Sequence, residues 1–322
     1  MDLRANVDAL SLENQNVDWE DQTGVIFKIE KIRMNPYINH RVAAILLNYN
    51  TASDCRKCIS YLKKQQNVDL DIVLVDNCSK REEAQAVENI CQEEGCTFIA
   101  NCENRGYNAG NNIGLRYAAT QGYKYALIAN PDMEFPQIDY LHKLVSVMEN
   151  DKSVVVVGSD IETPEGIHQN PMMRDGDWKG SLGWITSFFR KKKEDTYDFI
   201  DNYGANHYCS KVSGCCFLIR MDFVQSIGFF DEQVFLYCEE AILSRQVEQA
   251  GKKMYYLADV QAVHAHIKSE KGNPIKRFQN WKRSRLYYID RYSGDSWWGR
   301  QIAKCSMRMY VRLMVLYNRV RR

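Results

Sequence analysis

Residues 72–79 read Ile72-Val73-Leu74-Val75-Asp76-Asn77-Cys78-Ser79: four aliphatic residues in succession, then a carboxylate and an amide. An apolar run of this kind, with no polar alternation, marks a parallel strand covered on both faces. Its closing polar pair stands where open α/β sheets bind ligands, outside the carboxyl ends of the strands. The construction recurs at Val42–Leu47, closed by Asn48-Tyr49-Asn50, and at Tyr125–Ala129, closed by Asn130-Pro131-Asp132. A weaker apolar stretch precedes Phe235-Leu236-Tyr237-Cys238-Glu239-Glu240. A metal-capable Asp and a separate base-capable Glu on one scaffold suggest group transfer from a nucleotide-activated donor.

Outward from these strands the pattern alternates with helices. A helix is expected from Thr51 or Ser53, either able to cap it, to about Gln66, and another over Glu82–Glu94, ended by Gly95. Strands are expected at Leu70–Val75, Thr97–Ala100, Val154–Val157, Cys215–Ile219, Met254–Leu257 and Val260–His264. Further helices fall within Asn104–Ala119, Ile138–Asn150, Met221–Ile227 and Glu239–Ala250. Strands alternating with helices give an α/β fold with a mostly parallel mixed sheet flanked by helices. Three regions follow: an N-terminal extension (1–39) with a short strand near Val25–Ile29, a catalytic domain (40–267) and a C-terminal helical tail (268–322). Residues 159–213 break the regularity, as a functional loop region on the acceptor side or a disordered segment does.

The chain has 322 residues and a net charge of only +1, which argues against nucleic acid as the main partner. Residues 268–322 hold fifteen Lys or Arg against three Asp or Glu, a surplus of twelve that leaves residues 1–267 at −11. An acidic body with a basic tail faces anionic lipid, phosphate or another protein. Eleven cysteines are too scattered for a disulfide framework, and with no signal-peptide pattern ahead of them a reducing cytosol is expected. Cys55 and Cys58 have zinc-ligand spacing without a matching second pair; packed free thiols are the favoured reading. No apolar run reaches the roughly 18–20 residues of a spanning helix.

Six segments in order resemble the family 2 glycosyltransferases of the GT-A fold, especially the bacterial branch that includes rhamnosyltransferases. They are Ile45–Asn50, Ile72–Ser79, Asn104–Gly114, Ile128–Asp132, Gly228–Glu232 and Phe235–Glu240. The resemblance covers about residues 41–290. It implies an inverting transfer of a sugar, rhamnose or a hexose, from a dTDP- or UDP-sugar with a divalent cation, Mn2+ or Mg2+. The implied acceptor is a glycan or polyprenyl-diphosphate-linked glycan of bacterial surface polysaccharide synthesis, at the cytoplasmic membrane face. A nucleotidyltransferase and a catalytically silent binding partner are the rival classes. The glycines do not form Gly-x-Gly-x-x-Gly, which disfavours a nicotinamide dehydrogenase.

The residues fit these roles. Asp76 can accept from the imide N–H of uracil or thymine, with Asn48, Asn50 and Asn77 as short polar groups beside it; turn and cap roles are the alternative. Gly106, Gly110 and Gly114 allow close backbone approach, to a ligand or in packing, while Asn111 and Asn112 offer amide donors. Asn130-Pro131-Asp132 stands where the family has its metal-binding Asp-x-Asp, with Asn in the first place, leaving Asp132 as the main ligand. The resemblance also implies a His after the final strand, His264 or His266, at the metal or phosphate. Glu240 matches the family's general base and Glu239 is the fallback; helix capping is the plainer reading. Ile242 and Gln246 replace an Asp and an Arg of the commoner family pattern.

In the tail, Arg308, Arg312, Arg319 and Arg322 fall along one helical stripe, opposite Met307, Tyr310, Val311, Met314 and Tyr317. Such a helix suits an anionic membrane surface, or packs on the protein's own core with its basic face solvated. Trp184 to Lys193, with Phe188 and Phe189 beside Arg190–Lys193, is a further candidate for lipid or acceptor contact.

Overall fold

The computed structural model describes residues 17–20, 26–29, 41–187, 200, 202–265 and 274–320. The first half runs β1 (Val17–Glu20), β2 (Ile26–Ile29), β3 (Arg41–Asn48), α1 (Ala52–Leu62), β4 (Asp69–Asn77), α2 (Arg81–Glu94), β5 (Thr97–Asn101), α3 (Tyr107–Thr120), β6 (Tyr125–Ala129), β7 (Met133–Glu134) and α4 (Tyr140–Asn150). The second runs β8 (Val154–Glu162), α5 (Gly183–Ser187), β9 (His207–Cys209), β10 (Cys216–Arg220), α6 (Met221–Ser226), α7 (Glu239–Gln249), β11 (Lys253–His264), α8 (Pro274–Arg291) and α9 (Trp297–Val320).

One mixed sheet has the order β1-β2-β5-β4-β3-β6-β10-β8-β11-β7, with β9 also on β11. β5, β4, β3 and β6 are parallel to one another and β11 is parallel to β8; the other pairings are antiparallel. From β3 the chain steps outward to β4 and β5, then crosses back to β6 on the other side. That reversal makes a crevice at the carboxyl ends of β4, β3 and β6, where ligands bind in such sheets.

Alternation along β3 divides the core. Val42, Ala44 and Leu46 meet α1, α2 and α4 through Ile59, Leu62, Val87, Leu141 and Leu144. Ala43 and Ile45 face α3, α6 and α7 through Leu115, Ala118, Val224 and Leu243. Each fully buried aliphatic side chain in these layers contributes roughly 1.5–3 kcal/mol by leaving water. A smaller cluster joins α7 to α8 and α9 through Ala241, Ile242, Tyr288, Ile289 and Ala303. Ile242 therefore belongs to a face buried by the C-terminal helices, where an Asp would be desolvated without a partner.

Several boundaries differ from the sequence expectation. The N-terminal extension supplies a hairpin, β1 on β2, that continues the sheet from β5. β8 runs on to Glu162 because its polar end pairs with β11 and Asn170 donates to the Ser159 carbonyl at 2.7 Å. The two expected last strands are one, β11, with a register shift between Leu257 and Gln261. Thr51 occupies the N-cap of α1 but does not cap it: its N–H and hydroxyl both donate to Asn48 Oδ1 at 3.0 Å. Glu83 of α2 accepts the free Ala52 N–H instead, at 3.1 Å. Cys55 and Cys58 are buried on α1, and burial pushes both thiols above their ordinary range.

Candidate active site

The floor is the crevice of β3, β4 and β6. Asn48 is fully buried and donates to Asp76 Oδ1 at 2.7 Å, while Asp76 Oδ2 accepts the Ser79 N–H at 3.1 Å. Asn50 has φ 60° and links the loops after β3 and β4, donating its N–H to Ser79 Oγ and accepting the Lys80 N–H. Asn77 accepts from Asn101 and donates to Asn104, fixing the loop that enters α3. Tyr49, between the two asparagines, is 54% exposed.

The glycine- and asparagine-rich stretch packs closely against other parts of the chain. Gly106 lies at φ 108°, and a Cβ there would stand 2.3 Å from the Phe235 carbonyl oxygen; Tyr107 donates its N–H to that same oxygen at 2.9 Å. A Cβ on Gly110 would meet Leu47 Cδ1 at 2.5 Å, and one on Gly114 would meet Ile45 Cγ2 at the same distance. Asn111 and Asn112 are buried. Asn111 donates to the Tyr107 carbonyl, and Asn112 brackets Phe230, donating to its carbonyl at 2.8 Å and accepting its N–H at 2.9 Å. α3 thus clamps the loop leading to Phe235–Glu240 through these residues. Asp231 accepts from Tyr287 and Tyr292 at 2.6 Å each, fixing the loop to α8 as well. Phe229, Tyr237 and Cys238 all have positive φ, a conformation non-glycine residues adopt only where surroundings impose it.

At the end of that loop Glu239 and Glu240 open α7. Glu240 Oε1 accepts the Gly214 N–H at 3.3 Å, and Tyr107 donates its hydroxyl to the Gly214 carbonyl at 2.5 Å. Glu239 Oε1 is buried and, among the described residues, has no hydrogen-bond partner. Burial first, and the charge of Glu240 second, raise the Glu239 carboxyl from 4.5 to about 8, against backbone hydrogen bonds that favour its charge. Glu239 therefore holds its proton to higher pH than an ordinary carboxyl does. A raised folded pKa stabilises most below the unfolded value, and the contribution is lost as pH rises through the folded one. Between pH 4.5 and about 8 the native state should thus lose on the order of a few kcal/mol. Replacing Glu239 by Gln is expected to flatten this slope, so thermal melts at pH 5 and pH 9 should differ less in the variant.

β7 and β11 bring the other pair together. Ala265 donates its N–H to the Asp132 carbonyl at 2.9 Å, and His264 Nε2 lies 3.3 Å from Asp132 Oδ2. His264 Nδ1 donates to Gln169 Oε1 at 2.8 Å, which fixes the ring. Burial opposes a charge on that ring, but Asp132 and Cys215 outweigh it and raise its pKa to about 10. Adjacent ligands of a divalent ion at octahedral distances stand about 3 Å apart, so this oxygen and nitrogen fit one cation. His266 lies outside the described residues. Asp160, Glu162 and His168 form a second group, unread in the sequence, whose ligand atoms lie within 4.8 Å of one another.

Asn130, His264, Glu239 and Glu240 line one cavity of about 930 Å3. Its wall also holds Trp184 from α5, which the sequence offered for lipid or acceptor contact, Trp281 from α8, and Met307 and Tyr310 from α9. Asp175 sits in the same wall, 2.7 Å from both Lys211 Nζ and Arg285 Nη1. Burial alone would raise the Asp175 carboxyl, but those two cations hold it below its ordinary value. The tail is therefore part of the site: Ala303, Met307 and Val311 are buried, and Ser306 receives the Trp184 indole N–H at 2.7 Å.

The glycosyl transferase family 2 model matches residues 43–228, more than half of the chain. The chain belongs to glycosyl transferase family 2. This family 2 chain is 24% identical over 225 residues to the low-salt glycan biosynthesis hexosyltransferase of Haloferax volcanii, covering 69% of the chain and 66% of that relative. It is 23% identical over 187 residues to the N-acetylglucosaminyl-diphospho-decaprenol L-rhamnosyltransferase of Mycobacterium tuberculosis, over 54% of the chain and 57% of the relative. The chain thus spans less than two thirds of the length of these relatives. The mannosyltransferase of Pyrobaculum calidifontis, solved with GDP-Man and Mn2+, superposes with a TM-score of 0.56 at 18% identity, covering 87% of this chain and 72% of that one. The fold of the family 2 chain is GT-A.

Proposed function

We propose that the chain is an inverting glycosyltransferase, and the observation that carries this is the single cavity shared by the Asn130–His264 end and the Glu239–Glu240 pair. Asp132 and His264 would hold the divalent cation, which when bound neutralises the leaving diphosphate. Asp76, with Asn48 fixed against it, receives the imide N–H of a uracil or thymine base. Glu240, oriented by the Gly214 N–H, takes the acceptor hydroxyl proton as its oxygen bonds to the anomeric carbon. The anomeric C–O bond to phosphate breaks in the same step, its electron pair leaves with the nucleoside diphosphate, and configuration inverts.

The donor in this reading is dTDP-rhamnose or, next, a UDP-hexose, and the acceptor is a polyprenyl-diphosphate-linked glycan of surface polysaccharide assembly. The mycobacterial relative, named for an N-acetylglucosaminyl-diphospho-decaprenol substrate, supports that acceptor class. The volume of about 930 Å3 and the Trp184, Trp281 and Tyr310 rings in its lining support it too. Such an acceptor places the enzyme on the inner face of the cell membrane; no described helix is long and apolar enough to cross one.

Calorimetric titration with UDP and dTDP, with and without Mn2+ or Mg2+, tests the donor half. Metal-dependent binding that disappears in Asp132→Ala is the expected outcome, and the preferred base narrows the sugar. Absence of binding to either nucleotide under every condition would overturn the transferase reading.

A further inference from the structure

α9 has two apolar faces. One is inward, where Ala303, Met307 and Val311 are buried and Met307 and Tyr310 reach the cavity. The other points to solvent: Trp298 is 72% exposed, Ile302 40%, Met309 45%, Leu313 44% and Leu316 59%. Successive spacings of four, seven, four and three residues keep these side chains within one narrow stripe of a helix of 24 residues, about 36 Å long. Lone exposed apolar residues need no explanation, but a continuous stripe of five large ones marks an interaction surface.

The charges choose its occupant. Arg308 and Arg312 are exposed and border the stripe, and α9 carries no Asp or Glu at all. The neighbouring α8 adds exposed Lys276, Arg277, Arg283 and Arg291. Two copies joined through this stripe would set cationic rims together, whereas an anionic lipid surface neutralises them. Tryptophans at the start of the helix suit the boundary between headgroups and chains.

We infer that the outer face of α9, through Trp298, Ile302, Met309, Leu313 and Leu316 with Arg308 and Arg312, lies in the plane of an anionic lipid bilayer. The face differs from the one a helical reading of the tail selects, since Met307 and Val311 are turned into the protein. It deepens the acceptor half of the proposed function and rests on that reading only for its purpose. The inner face of the same helix walls the cavity, so a lipid-linked acceptor would enter beside the bilayer.

The test uses the full chain and vesicles of phosphatidylcholine with or without phosphatidylglycerol, without donor or acceptor, so that it fails independently of the transferase reading. Sedimentation with the anionic vesicles is expected, weakened about tenfold on pure phosphatidylcholine or at high salt. Combined Trp298→Ser, Met309→Ser and Leu316→Ser should weaken it at least about tenfold, and Arg308→Gln with Arg312→Gln should remove the lipid-charge preference. Unchanged UDP binding and circular dichroism confirm that the variants are folded. Failure of the parent to sediment, or equal sedimentation by the triple variant, overturns the inference. So does a parent dimer in light scattering that the triple variant splits, since the stripe would then be a contact between copies.

Discussion

Replacing Glu240 by Gln is expected to lower kcat about 10²–10⁴-fold, the range a positioned general base contributes, while nucleotide affinity stays unchanged. A sugar hydroxyl is a poor nucleophile, and Gln cannot take its proton. The amide nevertheless fits the carboxylate's volume, and its oxygen still accepts the Gly214 N–H, so the loss belongs to proton transfer and not to folding. Glu239→Gln should cost far less, because burial and its neighbour's charge already favour the protonated form that Gln imitates. Single-turnover rates for both variants, with UDP titrations alongside, separate the two. A Glu239 variant that loses more than the Glu240 variant would reverse the assignment.

Gly106→Ala is the second large effect. Its φ of 108° with ψ near 180° falls in a region essentially reserved for glycine, which alone costs another residue about 1–3 kcal/mol. The added Cβ would also meet the backbone of Phe235, with the carbonyl oxygen at 2.3 Å, and a backbone cannot rotate aside as a side chain does. Together these predict a loss of about 3–5 kcal/mol, at the upper end for single substitutions. Gly122→Ala is the milder comparison, at φ 71° in a left-handed conformation that costs another residue about 1–2 kcal/mol, with nothing within 4 Å of its Cβ. Where Gly106→Ala still folds, Phe235 must retreat, the Tyr107 N–H bond breaks and the Glu239–Glu240 pair moves. Activity should then fall with nucleotide binding retained; melting curves and the UDP titration check both parts.

The strands that build the crevice were legible because each is a short apolar run with its polar residues at one end. The family resemblance offered His264 or His266 for the site of Asp132 without choosing between them, and the course of β11 is what sets His264 beside that carboxylate. The asparagine–glycine stretch was not legible in the same way. A missing Cβ admits a ligand or another backbone equally well, and the backbone at Gly106 belongs to Phe235, far along the chain. Asn112 likewise reads as a free amide until Phe230 is brought to it. The far wall of the cavity draws Asp175, Lys211 and Arg285 from three separated segments, with no local pattern to join them. For α9, a helical wheel shows apolar side chains on two sides, and only contact with α5 and α8 decides which side is buried. The side chains of Phe188, Phe189, Arg190–Lys193, Arg319 and Arg322 lie outside the described residues.

Met307 and Tyr310 also make the cavity depend on a helix that contributes nothing to the sheet. α9 is held by Ala303 against α7 and α8 and by the Trp184 indole on Ser306. Loosening those two footings would leave the crevice of β3, β4 and β6 in place while opening the Glu239–Glu240 pair to bulk water. The same carboxylates would then work in a wetter, more strongly screening medium.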